Sequence, residues 1–587
     1  MYFRGFYLGV LGILMSCGLT ACQKVNEQPI LTYKLTPVLD EASENSLIVE
    51  LTFAGDADGE TEIVLGKAWA DEQTPWTRFK DISLTSDGQR LPFNLDTGRL
   101  IVVHDANKPL KLTYHLNEND GRDPNGDSGF FYAPILHDDI YHLIGWSSLA
   151  VPVVQARNEA GQRAARVMLN WHLPESWKSA ASFDTKAQTS IPFDDIFPAA
   201  LTAGDFNITS RPLGDKQLNV IMSGAWPFSE TQFADKLSQI LAALNENWND
   251  SPVDYHVSLL PLPPIPNGSS FTGTGLNHAF AAAGTENIEL DFLTMFLTHE
   301  MTHDWIPTRL GKFPNCKEEE DSNLDCAAEI YWFSEGFTEF YALSLLQQYD
   351  LISQEDFIKK TNEKLRDYYL SPARNVANVK IQQDFWNDLD VERQPYLRGF
   401  LLALNWNQDI LKKSDGADNM SSALRDLKDK ATAFEISPEL TQDYLAAHFS
   451  QWTGRDVTAD LKTYIIEGVT LAPANDAIGA CTTLEAADIY IYSLGFNVEA
   501  SLGSGTFSGV EKGHNSYEAG LRDGMTFVQK VEGGGGDTTR PIVLEVKDNN
   551  KTLEVSYLPI GEESTKIPQY KKINTKDCKV LVPNITD

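Results

Sequence analysis

Basic residues are scarce in this chain. Its 587 residues hold 48 lysines and arginines against 82 aspartates and glutamates, a formal net charge of −34. Nucleic-acid binding needs Lys and Arg clusters to meet phosphates, and no such cluster is present, which excludes that class. An acidic surface of this kind serves solubility. No internal repeat occurs, and only Gly533 to Gly536 is low in complexity, which reads as a loop. Long apolar runs are missing too. The apolar stretch from Gly5 to Ala21 is short for a spanning helix, which needs about 20 residues. Hydrophobic content of 42% and aromatic content of 10% still suffice for large cores, and the length predicts three or four domains.

The short apolar stretch reads as a targeting segment. Arg4 is its positive flank, Phe6 to Leu14 its core, and Leu19-Thr20-Ala21-Cys22 sets small residues before a cysteine. This resembles a bacterial lipobox, implying cleavage before Cys22 and acylation there. An ordinary secretory signal is the alternative. Several acyl chains would hold the chain on a membrane surface, and Gln23 in place of Asp points to the outer membrane. Cysteine is otherwise rare. Beyond Cys22 only Cys316, Cys326, Cys481 and Cys578 remain, and an even number in an exported chain favours disulfides. Cys316 and Cys326 flank the acidic loop Lys317 to Asp325, where a pair would close a short loop. A second zinc site is the rival, although no histidine lies close by in sequence. Cys481 and Cys578 would then clip the last domain.

What the chain does contain is Phe296-Leu297-Thr298-His299-Glu300-Met301-Thr302-His303-Asp304-Trp305. Residues four apart share one face of a helix, so His299 and His303 can offer two imidazoles to one metal ion. Glu300 lies one step round, placed to act as general base on an attacking water. The apolar flanks Leu293, Phe296, Leu297, Met301 and Trp305 predict a buried helix, in which histidines and acids need partners. A catalytic zinc keeps three protein ligands and one open position. Glu335, 32 residues after His303 in Trp332-Phe333-Ser334-Glu335-Gly336-Phe337-Thr338, completes a His-His-Glu set, with one zinc per chain. Glu339, four residues on, shares its face and either orients a ligand histidine or is a solvated helix acid.

H-E-x-x-H-x-W followed by W-F-S-E-G-F-T resembles the glycyl aminopeptidase family of gluzincin metallopeptidases. The resemblance implies a multidomain fold: an N-terminal β domain, a thermolysin-like α+β catalytic domain with a helical C-terminal part, and a PDZ-like β domain. It also implies roles for three further residues. Gly275 and Asn277, in Gly273-Thr274-Gly275-Leu276-Asn277-His278, stand where the family has G-G-L-E-H beside the substrate's amino group. Asn277 departs from the family's glutamate. Tyr396, in Tyr396-Leu397-Arg398-Gly399, matches Y-x-K-G, whose tyrosine stabilises the oxyanion.

The rest of the chain fits this plan. After the signal (1–21) and a polar tether (23–35), alternation at Leu47, Val49, Leu51 and Phe53 starts an antiparallel β-sandwich within 22–200. Leu110 to Leu116 and Val167 to Leu173 continue it. Phe193 to Phe206, broken by Pro198 and Gly204, reads as a connection. The catalytic domain is expected at 201–475, with strands at 218–222 and 255–260, a helix at 230–248, the metal helix at 287–305, and a second helix from near Asp325 that carries Glu335. Residues 354–466 read as helical. In 476–587, Ile491-Tyr492-Ser493-Leu494-Gly495-Phe496 resembles the carboxylate loop of PDZ domains. Such a domain would take a peptide C-terminus on an edge strand or merely brace its neighbour. Strands are expected at 526–531, 541–546 and 552–558.

The expected function is a zinc aminopeptidase acting on peptides in the periplasm or at the cell surface. An endopeptidase and an inactive peptide-binding lipoprotein are the alternatives.

Overall fold

The computed structural model describes residues 30–39, 45–67, 74–118, 132–153, 165–181, 183, 190–262, 271–276, 278–314, 324–433, 438–479, 481–534, 536, 538–549 and 551–573. The targeting segment with Cys22, and Asn277, Cys316 and Cys578, lie outside these residues.

The N-terminal portion is built of strands. A seven-stranded sheet runs in the order 190–192, 166–171, 30–38, 46–54, 109–117, 79–86 and 89–90. The alternating residues face inward as expected: Leu47, Val49, Leu51, Leu110, Leu112 and Tyr114 are fully buried. They share one core with residues of two four-stranded sheets. Three expectations are corrected here. The tether expected over 23–35 overlaps the strand Ile30–Val38, which buries Leu31, Tyr33 and Leu35. The sheet is not wholly antiparallel, because Ile30–Val38 pairs in parallel with Arg166–Trp171. Residues 193–206 are not merely a connection. They contain the strand Ala200–Gly204, which pairs on both sides, with Ile140–Ile144 and Lys178–Ala181. All five of its residues are buried, so it shows no alternation for a periodicity reading to detect.

A five-stranded sheet follows, ordered 209–213, 216–222, 255–261, 279–284 and 271–276. Its three central strands are parallel, Tyr255–Pro261 and Ala279–Gly284 being buried almost throughout, and Phe271–Leu276 forms one edge. On one side Ile221, Leu260, Ala279, Ala281 and Ala283 pack against Ile135, Ile140, Ile144 and Ala200 of the N-terminal portion. The helices lie on the other side. Glu230–Trp248 is opened by a capping box at Ser229 and closed by Asn249 in the left-handed region.

The metal helix spans Leu290–Thr302, shorter at both ends than expected. The helix expected to carry Glu335 is broken at that residue, into Tyr331–Ser334 and Gly336–Gln348. Further helices at 354–370, 378–384, 389–413, 420–433 and 442–453 complete the helical portion.

At the C-terminal end, Thr482–Tyr492 and Ile560–Lys572 form a ribbon beside a three-stranded sheet of 526–532, 542–548 and 551–557. The ribbon docks on the helix Gln354–Leu370. Asn362 Nδ2 donates to the carbonyl of Tyr570 (2.9 Å), and the Tyr570 amide donates to Asn362 Oδ1 (2.8 Å). Cys326 and Cys481 are both disulfide-bonded. Among the described residues no helix is long and apolar enough to cross a membrane.

Candidate metal centre

The metal helix holds its buried polar residues through its own backbone. Thr294, Thr298 and Thr302 donate to the carbonyls four residues earlier, at 2.9, 2.6 and 2.7 Å. One step round the helix, Leu293, Leu297 and Met301 enter the main core. The tryptophan of H-E-x-x-H-x-W anchors the C-terminal end. Trp305 stacks on Trp248 (5.9 Å, 3° between planes), and its indole N–H donates to Asp250. Asp250 also takes Arg309 (3.0 Å) and Lys428 (2.8 Å). These charges outweigh the effect of burial and hold its carboxyl below the usual range.

This anchoring fixes the two histidines. His303 Nδ1 donates to the Ile306 carbonyl at 2.7 Å, so Nε2 is the nitrogen whose proton a metal would displace. His303 Nε2 and His299 Nε2 are 3.1 Å apart. Glu335 Oε2 lies 3.4 Å from His299 Nε2 and 3.3 Å from His303 Nε2. The other carboxylate oxygen, Oε1, accepts from Ser334 Oγ at 3.1 Å, so it is Oε2 that turns inward. Tetrahedral zinc with bonds of about 2.0–2.1 Å requires donors about 3.3–3.4 Å apart. The three donors form a triangle of that size, and among the described residues no other group of three meets the same test.

Glu335 reaches this point because two helices touch. A Cβ on Gly336 would meet the backbone of Gly399, standing 2.7 Å from its carbonyl carbon. Gly399 belongs to the long helix Leu389–Lys413, whose Arg398 donates to the carbonyls of Arg374 and Val376, both at 2.9 Å. Three residues before Gly399, the Tyr396 ring lies against His299, with centroids 6.0 Å apart.

Electrostatics separate the roles. Burial pushes the Glu300 carboxyl up, opposed in part by His299 and His303. Burial would also raise Glu335, yet the two imidazoles hold it well below the carboxylate range. Burial alone would lower His303, but the Glu335 carboxylate outweighs it and lifts the imidazole to about 10. Without metal His303 and Glu335 are therefore an ion pair. The Tyr396 hydroxyl is pushed well up by burial and by Glu335 and Glu300, so it remains a donor. Burial raises Asp304, one turn after Glu300, to about 7.

The structure thus brings together His299, His303, Glu335, Glu300 and Tyr396. Gly275 is beside them on the edge strand, where a Cβ would have the Glu300 carbonyl oxygen as its nearest neighbour, at 3.8 Å. Glu339 is no solvated acid. Its Oε1 lies 3.8 Å from His299 Nδ1 and its Oε2 3.0 Å from Lys364 Nζ. The supporting residues Asp250 and Lys364 carry no sequence signal, because each acts across a tertiary contact, whereas Ser334 adjoins Glu335 within its motif. Gly336 and Gly399 sit inside motifs already singled out, and their backbone contact was the signal to look for.

Residues 292–395 match the family described as M61 glycyl aminopeptidase. No curated relative matches the chain. Among solved structures, an aminopeptidase N family protein from Idiomarina loihiensis is similar over 94% of this chain and 98% of its own, at 15% identity and a TM-score of 0.64. An M1 zinc metallopeptidase from Deinococcus radiodurans is 16% identical over 76% of this chain and 94% of its own, with a TM-score of 0.42. The first likeness speaks for the fold. The family match, together with the His-His-Glu trio, supports a gluzincin-like peptidase.

Proposed function

We propose that this protein is a zinc-dependent aminopeptidase of the glycyl aminopeptidase type, acting on peptides in the periplasm or at the cell surface. The observation that carries the reading is the triangle of His299 Nε2, His303 Nε2 and Glu335 Oε2, with edges of 3.1, 3.3 and 3.4 Å. Zinc held by these atoms supplies a Lewis acid and a water of lowered pKa. Glu300 takes a proton from the attacking water and returns it to the leaving amine. Its raised pKa suits both halves of that exchange. Tyr396 donates a hydrogen bond to the oxygen on which negative charge develops. Gly275 leaves the edge strand open beside Glu300, so the substrate backbone can pair there.

Asn277 favours a second reading. It stands where the family has an amine-binding glutamate, and an amide offers an oxygen but no charge. Hydrogen bonds to charged groups contribute about 1.5–3 kcal/mol, part of which is lost. An endopeptidase would tolerate that loss. The deciding assay compares an alanyl anilide with an amino-blocked peptide, alongside the zinc content of the purified protein. Faster hydrolysis of the free-amine substrate, at about one zinc per chain, supports the aminopeptidase. Equal rates, or cleavage of the blocked peptide only, favour the endopeptidase. Absence of zinc supports an inactive peptide-binding protein.

The remaining parts follow the same plan. The C-terminal residues 476–587 act as a PDZ-like brace, a role supported by the Asn362–Tyr570 pairing. After Phe496 the chain forms a short helix, Val498–Ser504, where a peptide-binding PDZ domain needs an edge strand. Cys316 pairs with Cys326, and Cys481 with Cys578. Cys22 carries the lipid that anchors the chain to the outer membrane. Cys22→Ser should release the protein from membranes, and a native amino terminus without lipid would overturn the anchor.

A further inference from the structure

The cleft face of the metal helix carries more than the metal ligands. Phe292, Phe296, His299 and His303 recur at helical spacing, so the two phenylalanines lie on the ligand face, one and two turns earlier. Phe292 is 50% exposed, although the rest of this helix contributes apolar side chains to a core. Across from it stands Phe271, the first residue of the edge strand Phe271–Leu276. The Phe271 ring meets Phe296 edge-on at 4.7 Å and Phe292 at 5.8 Å, while Phe292 and Phe296 stack at 6.1 Å. Between Phe271 and Gly275 the strand has Gly273, at which a Cβ would strike the Phe280 ring. The strand therefore presents no side chain toward the helix between the aromatic group and the position opposite Glu300.

We propose that Phe271, Phe292 and Phe296 form an apolar subsite for the side chain of the second or third residue after the scissile bond. The inference rests on the peptidase reading above, in which the substrate's amino end lies at the Gly275–Asn277 end of the edge strand. The leaving portion must then run the other way, toward Phe271. Phe296 and Phe292 lie four and eight residues before Glu300, about 6 and 12 Å along a helix rising 1.5 Å per residue. An extended peptide advances about 3.3 Å per residue, so those distances span about two to four residues. A half-exposed aromatic ring held edge-on by Phe271 and stacked on Phe296 offers a long apolar or aromatic side chain a rigid surface. The substrate class is thus narrowed to peptides of at least three residues, or four if the third position is the one read, with an apolar residue at that place.

The test uses zinc-loaded full-length protein and the peptides Ala-Ala-Ala-X-Ala and Ala-Ala-X-Ala-Ala, with X as Phe, Leu or Ser. At one of the two positions, kcat/KM for Phe should exceed that for Ser by about 10–200-fold, the range of a hydrophobic pocket. Phe292→Ala should collapse this ratio, and Phe292→Trp should keep it. Binding of the same peptides to zinc-loaded Glu300→Gln, by calorimetry, reads the subsite without chemistry. Cleavage independent of X at both positions, or an undiminished ratio in Phe292→Ala, overturns the subsite and leaves the peptidase standing. X-dependent binding with no cleavage by the unmodified protein leaves the subsite and overturns the peptidase. Neither binding nor cleavage overturns both.

Discussion

Gly336 and Gly399 are in backbone contact. A Cβ on Gly399 would stand 2.8 Å from the Cα of Gly336 and closer still to the carbonyl oxygen of Trp332. The contact joins the helix that follows Glu335 to the helix that carries Tyr396, so one crossing sets the third ligand and the hydroxyl donor together. Gly399→Ala must force these helices apart. Overpacking usually costs about 1–3 kcal/mol, and a clash with rigid backbone belongs at or above the top of that range. Denaturant unfolding should show the loss, and zinc content should fall with it. A Gly399→Ala protein of native stability and full zinc content would mean the helices slide apart freely.

Glu300 is not one of the three donor atoms, so removing its charge separates chemistry from metal binding. Glu300→Gln should retain about one zinc per chain and lose hydrolysis. His299→Ala and Glu335→Ala should lose both. Zinc analysis beside turnover distinguishes the two classes, and near-normal turnover in Glu300→Gln would remove it as the base.

Much of this centre was legible in the sequence. His299 and His303 are bound to one face by helical period alone, with Glu300 one step round, and the structure places them as that period requires. Glu335 and Tyr396 are too distant in the chain for any local period to connect them; Glu335 was legible through the donor set that zinc requires, and Tyr396 through the resemblance of its motif. The break of the helix at Glu335 was not. The run Trp332 to Tyr341 is rich in large apolar residues on every side, and nothing local marks where the axis shifts. The strand Ala200–Gly204 was missed for a similar reason, since burial on both faces erases alternation. Asp250 and Lys364 look like ordinary surface charges until the fold brings Trp305 and Glu339 to them.

The Tyr396 hydroxyl can be removed with little loss of volume. Tyr396→Phe should lower turnover by about 10²–10³, the usual effect of losing one oxyanion donor, with far less change in substrate affinity. Steady-state kinetics on one substrate tests this. An unchanged turnover number would return Tyr396 to a packing role beside His299.

The metal-free cluster predicts a proton linkage. His303 is lifted to about 10 in the folded protein, so below that pH it holds a proton that a metal must displace. Zinc binding at pH 8 should release close to one proton per ion, measured by calorimetry in buffers of different ionisation enthalpy. The same pair sets the stability of the metal-free protein. Because the His303 pKa is raised on folding, its contribution is fully present below about 6.5 and is lost as pH rises toward 10. Because the Glu335 pKa is depressed, its contribution is present above the ordinary carboxylate pKa and lost as pH falls below it. Metal-free protein should therefore melt highest in mildly acidic solution, and the alkaline decline should vanish when zinc is bound. Zinc binding without proton release would show that His303 is already neutral.

Glu339 links the ligand His299 to Lys364. Its Oε1 is 3.8 Å from His299 Nδ1, beyond a hydrogen bond, while Oε2 pairs with Lys364 at 3.0 Å. Burial would raise this carboxyl, but Lys364 and His299 reverse the shift and keep it ionised. A carboxylate beside the distal imidazole nitrogen favours the tautomer with the proton on Nδ1, which leaves Nε2 to bind metal. Nδ1 is buried with no hydrogen bond of its own, so Glu339 is its nearest charged acceptor. Closing the gap takes less than 1 Å of movement and gives the imidazole a partner. Removing such a partner typically costs 10–100-fold in metal affinity or activity. Glu339→Gln keeps the shape and removes the charge, so zinc affinity, measured by competition with a chelator, should fall by about that factor. The Tyr396 and Glu300 positions are untouched by the change, so turnover at saturating zinc should fall less than affinity does. An unaltered zinc affinity in Glu339→Gln would reduce this residue to an anchor for Lys364 and leave His299 oriented by packing alone.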